Sequence, residues 1–362
     1  MLKIEVSNLI TKKICGRNHY EKAFAALLSV FALVALAACG EPDLGDYKPG
    51  LHLGYTDGHQ NTYAYVYVDA DGYIFDIFID TVYMKTDEDG PVTWEGRGGN
   101  EQTGYATTKM SLDDGCGYNM WPSEPVVDCE VEGEIMWHDQ VRMLAEDIIE
   151  NQGIIDYDLV DGDFDEDGDD VISGVTITVS GYLEAVENAL DIARLGEDES
   201  PRDYDVPSFD GEGDYTPGIH FGYTEGHQNT IGIIAVNEDG HIVYAASDTI
   251  YLKTDEDGPL TWEGRGGNEQ TGYATTKMSL DYGCGYNMWP AEPVEDCQVE
   301  GETMWHDQVA MVMDDIVANQ GIIDYDLIDG DFDEDGDDIV SGVTITVSHY
   351  LNAIEDAISK AE

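Results

Sequence analysis

The sequence predicts an α+β protein made of two tandem copies of one small domain, and three observations carry that expectation. The first is length, because 362 residues divide into about two domains of ordinary size, each able to bury a core. The second is an internal repeat: "GDYKPGLHLGYTDGHQNT" at 45–62 returns as "GDYTPGIHFGYTEGHQNT" at 213–230, and the same offset holds without a gap to the C-terminus. The third is that each copy mixes period-two apolar alternation, the mark of strands, with apolar residues at helical spacing.

The elements follow in chain order. Lys12, Lys13, Arg17 and Lys22 precede the apolar run "AFAALLSVFALVALAAC", which is too short and too rich in small residues at its end for a membrane span. Residues 1–38 read as a signal peptide. The ending "LAAC" at 36–39 resembles a bacterial lipobox, which implies cleavage before Cys39, lipid on that cysteine, and a tether over 39–44. An ordinary signal peptide or a short anchor helix is the alternative.

Copy 1 occupies 45–195. Its segment "TYAYVYVDADGYIFDIFIDTVYM" (62–84) alternates around a "DADG" turn and predicts a β-hairpin. A glycine-rich block, 85–122, shows no periodicity and reads as loop. "MWHDQVRMLAEDIIENQG" (136–153) places Trp137, Val141, Leu144 and Ile148 on one helical face, with Gly153 as the stop. "GVTITVS" predicts a short β-like stretch, and "YLEAVENALDIA" (182–193) a helix with Leu183, Val186 and Leu190 inward. The acidic, Pro- and Gly-containing stretch 196–212 reads as a solvated linker, and copy 2 fills 213–362.

Acidic residues outnumber basic ones 76 to 16, a net charge of −60. Such a surface repels nucleic-acid phosphates and anionic lipid headgroups, which excludes nucleic-acid binding, and suits a salty or cation-rich surrounding. Beyond the signal and Cys39, four cysteines remain: Cys116 and Cys129 in copy 1, Cys284 and Cys297 in copy 2. Outside the cytoplasm an even pair per copy reads as one disulfide each, worth about 3 kcal/mol for a loop of this size. A zinc site using His138 or His306 stands second, since no CxxC spacing is present and each pair needs two more ligands.

The copies have drifted unevenly. The predicted strands have exchanged most residues, whereas the block 85–122 is almost unchanged at 253–290 and "SGVTITVS" recurs intact, a pattern that points to chemistry in loops. Hydroxyls and a glycine just ahead of a helix N-terminus suit a phosphate, although β-branched residues also make ordinary strands. Lys85, Arg97 and Lys109 persist as Lys253, Arg265 and Lys277, while Arg142 becomes Ala310. The retained cations either pair with nearby carboxylates or hold an anionic ligand. Trp94, Tyr105, Tyr118 and Trp121 either flank a flat ring or belong to the core.

The run Asp170-Val-Ile-Ser173-Gly174-Val175-Thr176, repeated from Asp338 through Ser341 and Gly342 to Thr344, resembles the flavinylation motif of FMN-binding domains. Such domains occur in peripheral subunits of sodium-pumping respiratory complexes and in extracellular electron-transfer lipoproteins. Val175 and Val343 stand where the family usually has alanine or serine. The helix "YLEAVENAL" and the stretches "TTKMSLDDGCGYNMW" and "WHDQVRMLAEDIIENQG" extend the likeness over most of each repeat. The resemblance implies an FMN-binding fold with packed helices and a phosphoester bond from Thr176 and Thr344 to FMN, made by a separate flavin transferase. It implies support from Ser173, Gly174 and Asp170, with their copies Ser341, Gly342 and Asp338; Lys109 and Lys277 are the cations nearest in role. The partners implied are a quinone- or NADH-linked donor in the membrane and an extracellular electron acceptor.

A competing reading starts from "DGDFDEDGDD" at 161–170 and 329–338. Asp163, Asp165 and Asp167, and Asp331, Asp333 and Asp335, match the opening of a calcium loop, which would suit a calcium-stabilised adhesion module. Gly174 occupies the position of the bidentate glutamate, so a full EF-hand is not expected. A hydrolase finds no nucleophile with an evident partner; His138 beside Asp139, His52 and His59 read as structural histidines.

Overall fold

The computed structural model describes residues 44–56, 61–84, 92–96, 100–104, 106–112, 114–118, 120, 127–165, 168, 170–225, 229–252, 260–264, 268–272, 274–286, 288, 295–333 and 336–362. Copy 1 runs β1 (Gly50–Thr56), β2 (Thr62–Val68), β3 (Ile74–Met84), β4 (Val92–Gly96), β5 (Asn100–Gly104), β6 (Ala106–Thr108), α1 (Trp137–Asn151), β7 (Leu159–Val160), β8 (Asp163–Phe164) and α2 (Ser180–Ala193). Copy 2 repeats every element: β9 (Gly218–Thr224), β10 (Thr230–Val236), β11 (Ile242–Leu252), β12 (Leu260–Gly264), β13 (Asn268–Gly272), β14 (Ala274–Thr276), α3 (Trp305–Asn319), β15 (Leu327–Ile328), β16 (Asp331–Phe332) and α4 (Ser348–Ala361). The strands form two four-stranded antiparallel sheets, β1-β2-β3-β6 and β9-β10-β11-β14, with four small hairpins beside them. The fold is α+β.

The expected hairpin is β2–β3. Its turn is closed by Asp69, whose Oδ1 accepts the N–H groups of Asp71 and Tyr73, and by Gly72 at φ +87°, a region that favours glycine. The helix expected over 136–153 is α1, with Trp137, Val141, Leu144 and Ile148 all buried. It ends at Asn151, two residues before Gly153, because Gln152 adopts the left-handed conformation itself and uses its side chain as a clamp on β3. Gln152 Oε1 accepts from Ile74 N at 2.8 Å and Nε2 donates to Ile74 O at 3.0 Å; Gln320 holds Ile242 in the same way.

Each sheet carries its own two helices on one face. Ala64, Val66 and Val68 of β2 join a core with Leu144 and Ile148 of α1 and Val186 and Leu190 of α2. The opposite face meets the other repeat: Tyr63 and Tyr65 pack with Phe221, Ile231 and Ile233, and Tyr67 packs with Ala235 and Val243. Every residue of β2 and of β10 is therefore buried, and the layers run helix, sheet, sheet, helix. Phe78 stacks on Phe221 across the seam, centroids 5.0 Å apart and planes at 14°.

Residues 45–362 thus form one compact unit, where the sequence led us to expect two domains on a solvated linker. The physical reason is visible in "TYAYVYV", which is apolar at both parities; the tyrosines face a second sheet, not water. The connecting stretch 196–212 is mostly exposed but anchored, with a 3-10 turn at Pro201–Asp203 capped by Ser200, Pro201 buried, and Phe209 against the His241 ring.

Two further expectations change. The block 85–122 contains the paired strands β4 and β5 and strand β6, with Val92–Gly96 antiparallel to Asn100–Gly104. Conversely "GVTITVS" is no strand: a turn at Ser173-Gly174, with Gly174 at φ +94°, leads directly into α2. Its N–H groups find a side chain in place of a neighbouring strand.

Candidate functional site

The motif segment is held from below by one buried amide. Gln140 on α1 is 1% exposed, and its Oε1 accepts from the backbone N–H of Thr176 at 2.6 Å and of Ile177 at 3.2 Å. Its Nε2 donates to Ile135 O at 2.8 Å, so both ends of the amide are used. Thr176 Oγ1 donates to the same Oε1 at 3.3 Å although the residue as a whole is exposed, so both the backbone and the hydroxyl of this surface residue are tied to a buried side chain. Gln308 makes the same contacts to Thr344, at 2.6 Å from N and 3.2 Å from Oγ1.

The other motif residues divide by face. Ser173, Asp170, Ser341 and Asp338 are exposed, and Gly174 and Gly342 occupy φ values of +94° and +91° that a side chain rarely adopts. Val175 and Val343, the departures from the family pattern, are buried in their repeats' cores. They turn inward and leave the threonine side free. Apolar side chains lie beside Gly174, where a Cβ would meet the ends of Ile135 and Met143, and Ile172 and Ile177 pack partly buried against the core. The first turn of α2 has no side-chain cap, and neither has that of α4.

Lys109 and Lys277 are not at this surface. Lys109 is 4% exposed, with its ammonium 4.4 Å from the Tyr118 ring centre and 4.8 Å from that of Trp137, and it donates to Tyr182 Oη at 3.2 Å. Lys277 sits likewise over Tyr286 and Trp305. These cations fill aromatic cages inside each repeat. Tyr118 is therefore a core ring in the cage and not a surface platform. Beside the cage Asp80 is fully buried, accepting from Tyr63 Oη, Thr81 N and Met110 N, and burial pushes its carboxyl up to about 6; Asp248 is displaced to about 6 for the same reason. The identity of "ATTKMS" in both copies is explained by this network, together with Ser111 Oγ bonded to Thr107 and Thr108.

The acidic loops hold themselves by backbone. Asp158 accepts the N–H groups of Asp165 and Asp170, while Asp163 and Asp331 are exposed and Asp165 and Asp333 half-buried. Among the described residues no three carboxylates converge as cation ligands there. Cys116 is bonded to Cys129 and Cys284 to Cys297, so these sulfurs offer no thiolate to zinc as they stand. His52 and His220 are structural, their Nε2 atoms bonded to the carbonyls of Lys48 and Thr216. The signal peptide, Cys39, His59, Lys85, Lys253, Arg97, Arg265, Tyr105, Trp121, Asp167 and Asp335, and the side chain of Trp94, lie outside the described residues. Among the described residues no helix is long and apolar enough to cross a membrane.

A cavity of about 300 Å³ opens at the seam between repeats, lined by Phe78, Val141, Arg142, His220, Phe221 and Lys360 among others. Its two permanent cations are already paired, Arg142 with Asp76 at 2.6 Å and Lys360 with Asp114 at 2.6 Å.

Sequence reasoning missed Gln140, Gln308, Asp80 and Asp248. The glutamines had a signal, since each is an unchanged polar residue set among the apolar positions of a helix. No protein-family model, curated protein or solved structure matches the chain.

Proposed function

We propose that this protein is a membrane-tethered, extracytoplasmic electron carrier bearing FMN on Thr176 and Thr344. The observation that carries the reading is the Gln140–Thr176 arrangement and its repetition at Gln308–Thr344. A threonine at an exposed position whose backbone is pinned by a buried side chain is what an external transferase needs: a residue at the surface, with little freedom in the segment that presents it. The second threonines, Thr178 and Thr346, are also exposed but are not held by Gln140 or Gln308, which makes them fitting controls.

The residues fit a covalent group better than a dissociable one. A covalent phosphoester does not require a deep charged pocket, and Lys109 and Lys277 are occupied in aromatic cages. Thr176 and Thr344 would hold the phosphate, with the uncapped first turns of α2 and α4 and the exposed hydroxyls of Ser173 and Ser341 nearby in sequence. When bound, the flavin supplies one- and two-electron redox chemistry, while the protein contributes placement and electrostatics. Localisation by a lipidated Cys39, an electron donor in the membrane and an acceptor outside belong to the same proposal. The calcium-module reading gains no comparable support.

The test is the intact mass of the exported chain produced with and without a competent flavin transferase. The expected result is two added FMN groups that survive denaturation, one lost in Thr176→Ala, both lost in the double variant with Thr344→Ala, and none lost in Thr178→Ala. Flavin retained by the Thr176/Thr344 double variant, or absent from the parent, would overturn the assignment.

A further inference from the structure

Each repeat carries a disulfide for which the flavin reading has no use. The half-cystines Cys116, Cys129, Cys284 and Cys297 are all half-buried, within reach of solvent. The second sulfur of each pair sits in a tight turn in which two consecutive non-glycine residues have positive φ, Asp128 at 51° and Cys129 at 64°, and Asp296 at 49° and Cys297 at 61°. Such backbone costs on the order of 1 kcal/mol per residue, and the structure keeps it in both copies.

A histidine faces that sulfur. His138 Nε2 lies 3.7 Å from Cys129 Sγ, and His306 Nε2 lies 3.6 Å from Cys297 Sγ. Gly115 leaves room for the ring, since a Cβ there would approach His138 Cβ to 2.8 Å. The other ring nitrogen, Nδ1, is buried and has no hydrogen-bond partner among the described residues, in His138 and in His306 alike. A proton on Nδ1 would be an orphaned buried donor, so the neutral ring carries its proton on Nε2, aimed at the sulfur and at Asp139 Oδ1, 3.5 Å away. The same tautomer argues against zinc, because a metal on Nε2 would force the proton onto Nδ1, where ligating histidines need an acceptor.

We propose that Cys116–Cys129 and Cys284–Cys297 are thiol-exchange sites, in which an external thiolate attacks Cys116 or Cys284 and the departing thiolate of Cys129 or Cys297 is received by His138 or His306. The co-reactant is a dithiol. Its first thiolate forms a bond to Cys116 Sγ as the Cys116–Cys129 bond breaks, and the electron pair goes to Cys129 Sγ, which accepts a hydrogen bond from Nε2–H and then a proton from water. The second thiolate of the reductant attacks the first sulfur, releasing Cys116, which takes the other proton. The dithiol is oxidised by two electrons to its disulfide and the protein pair is reduced by two electrons and two protons. A leaving sulfur stabilised as thiolate departs faster, which sets the direction of attack. Cys116 is the entry sulfur because Cys129 is the one with the donor.

The experiment uses the full exported chain under native conditions, with dithiothreitol as reductant, alkylation as quench, and peptide masses to follow each pair separately. Opening is expected to be first order in dithiothreitol, and a monothiol, 2-mercaptoethanol, is expected to leave its adduct on Cys116 and Cys284. His138→Phe keeps a ring and removes the donor; it should slow opening of Cys116–Cys129 about tenfold, while Cys284–Cys297 in the same molecule keeps the parent rate and reports that the fold is intact. His138→Gln, which restores an N–H, should fall between. A rate independent of reductant, adducts shared equally between the two sulfurs, or an unchanged rate in His138→Phe would each reduce the pair to a structural staple. None of these readouts involves flavin, so this test and the flavin test fail independently.

Discussion

Gln140 and Thr176 are joined twice, through the backbone N–H at 2.6 Å and the hydroxyl at 3.3 Å, and Gln140 is buried where Thr176 is exposed. The interior of each repeat thus fixes a residue on its surface.

Gln140→Ala removes the acceptor for two N–H groups and should cost about 1–3 kcal/mol of stability. It should also lower flavin occupancy at Thr176 and leave Thr344 unchanged, because Gln308 is intact. Urea unfolding and intact mass read the two effects; equal occupancy at both threonines in this variant would remove the positioning role.

Phe221 in copy 2 and Phe78 in copy 1 stack across the seam. Phe221→Ala should destabilise by about 3–5 kcal/mol, and calorimetry should still show one transition for both repeats, since they share a core. Two separate transitions in the parent would contradict that coupling.

Asp76 accepts from Arg142 at 2.6 Å and, with its other oxygen, from Ile219 N of the second repeat at 2.7 Å. Asp76→Ala strands the part-buried backbone donor Ile219 N and leaves Arg142 with Glu146 alone, whereas Arg142→Ala leaves Asp76 with its backbone partners Ile77 N and Ile219 N, and half-exposed Arg142 contributes little on its own. The midpoint in urea should fall clearly further for Asp76→Ala than for Arg142→Ala.

Asp80 and Asp248 have folded carboxyls raised to about 6 from an ordinary value near 3.8. Between those values the folded chain binds more protons than the unfolded one, so stability from these groups is full below about 3.8 and declines as pH rises to about 6, by about 3 kcal/mol per site. Asp80→Asn should flatten the fall in urea midpoint between about pH 4 and pH 6, and the double change with Asp248→Asn should flatten it further. A slope unaltered by both changes would mean that the two carboxyls titrate normally.

How much of this was readable beforehand depends on what each residue must satisfy. Trp137, Val141, Leu144 and Ile148 were legible because one stripe faces one core. Tyr63, Tyr65 and Tyr67 were not, since alternation shows that two faces differ without saying what covers the second. The unchanged block suggested chemistry, yet Lys109 and Asp80 within or beside it serve a buried network that only the fold brings together. "VTITV" carried a strand's composition, and Gln140, distant in sequence, decided against a strand by taking its N–H groups. The motif threonine was singled out from the sequence, and the exposure of that residue is seen only in the structure.

The face-to-face sheets also bear on how the two copies came to differ. A symmetric dimer must use one patch twice, so every change is made on both sides at once. Here the patches are on a single string, and the connecting residues 196–212 keep them at an effective concentration on the order of millimolar. Mutual recognition is no longer at risk, and each side is free to specialise: tyrosines at 63, 65 and 67 on one, Ile231, Ile233 and Ala235 on the other. The divergence that looked like idle drift in the strands is a division of roles between a bulky half and a slender one.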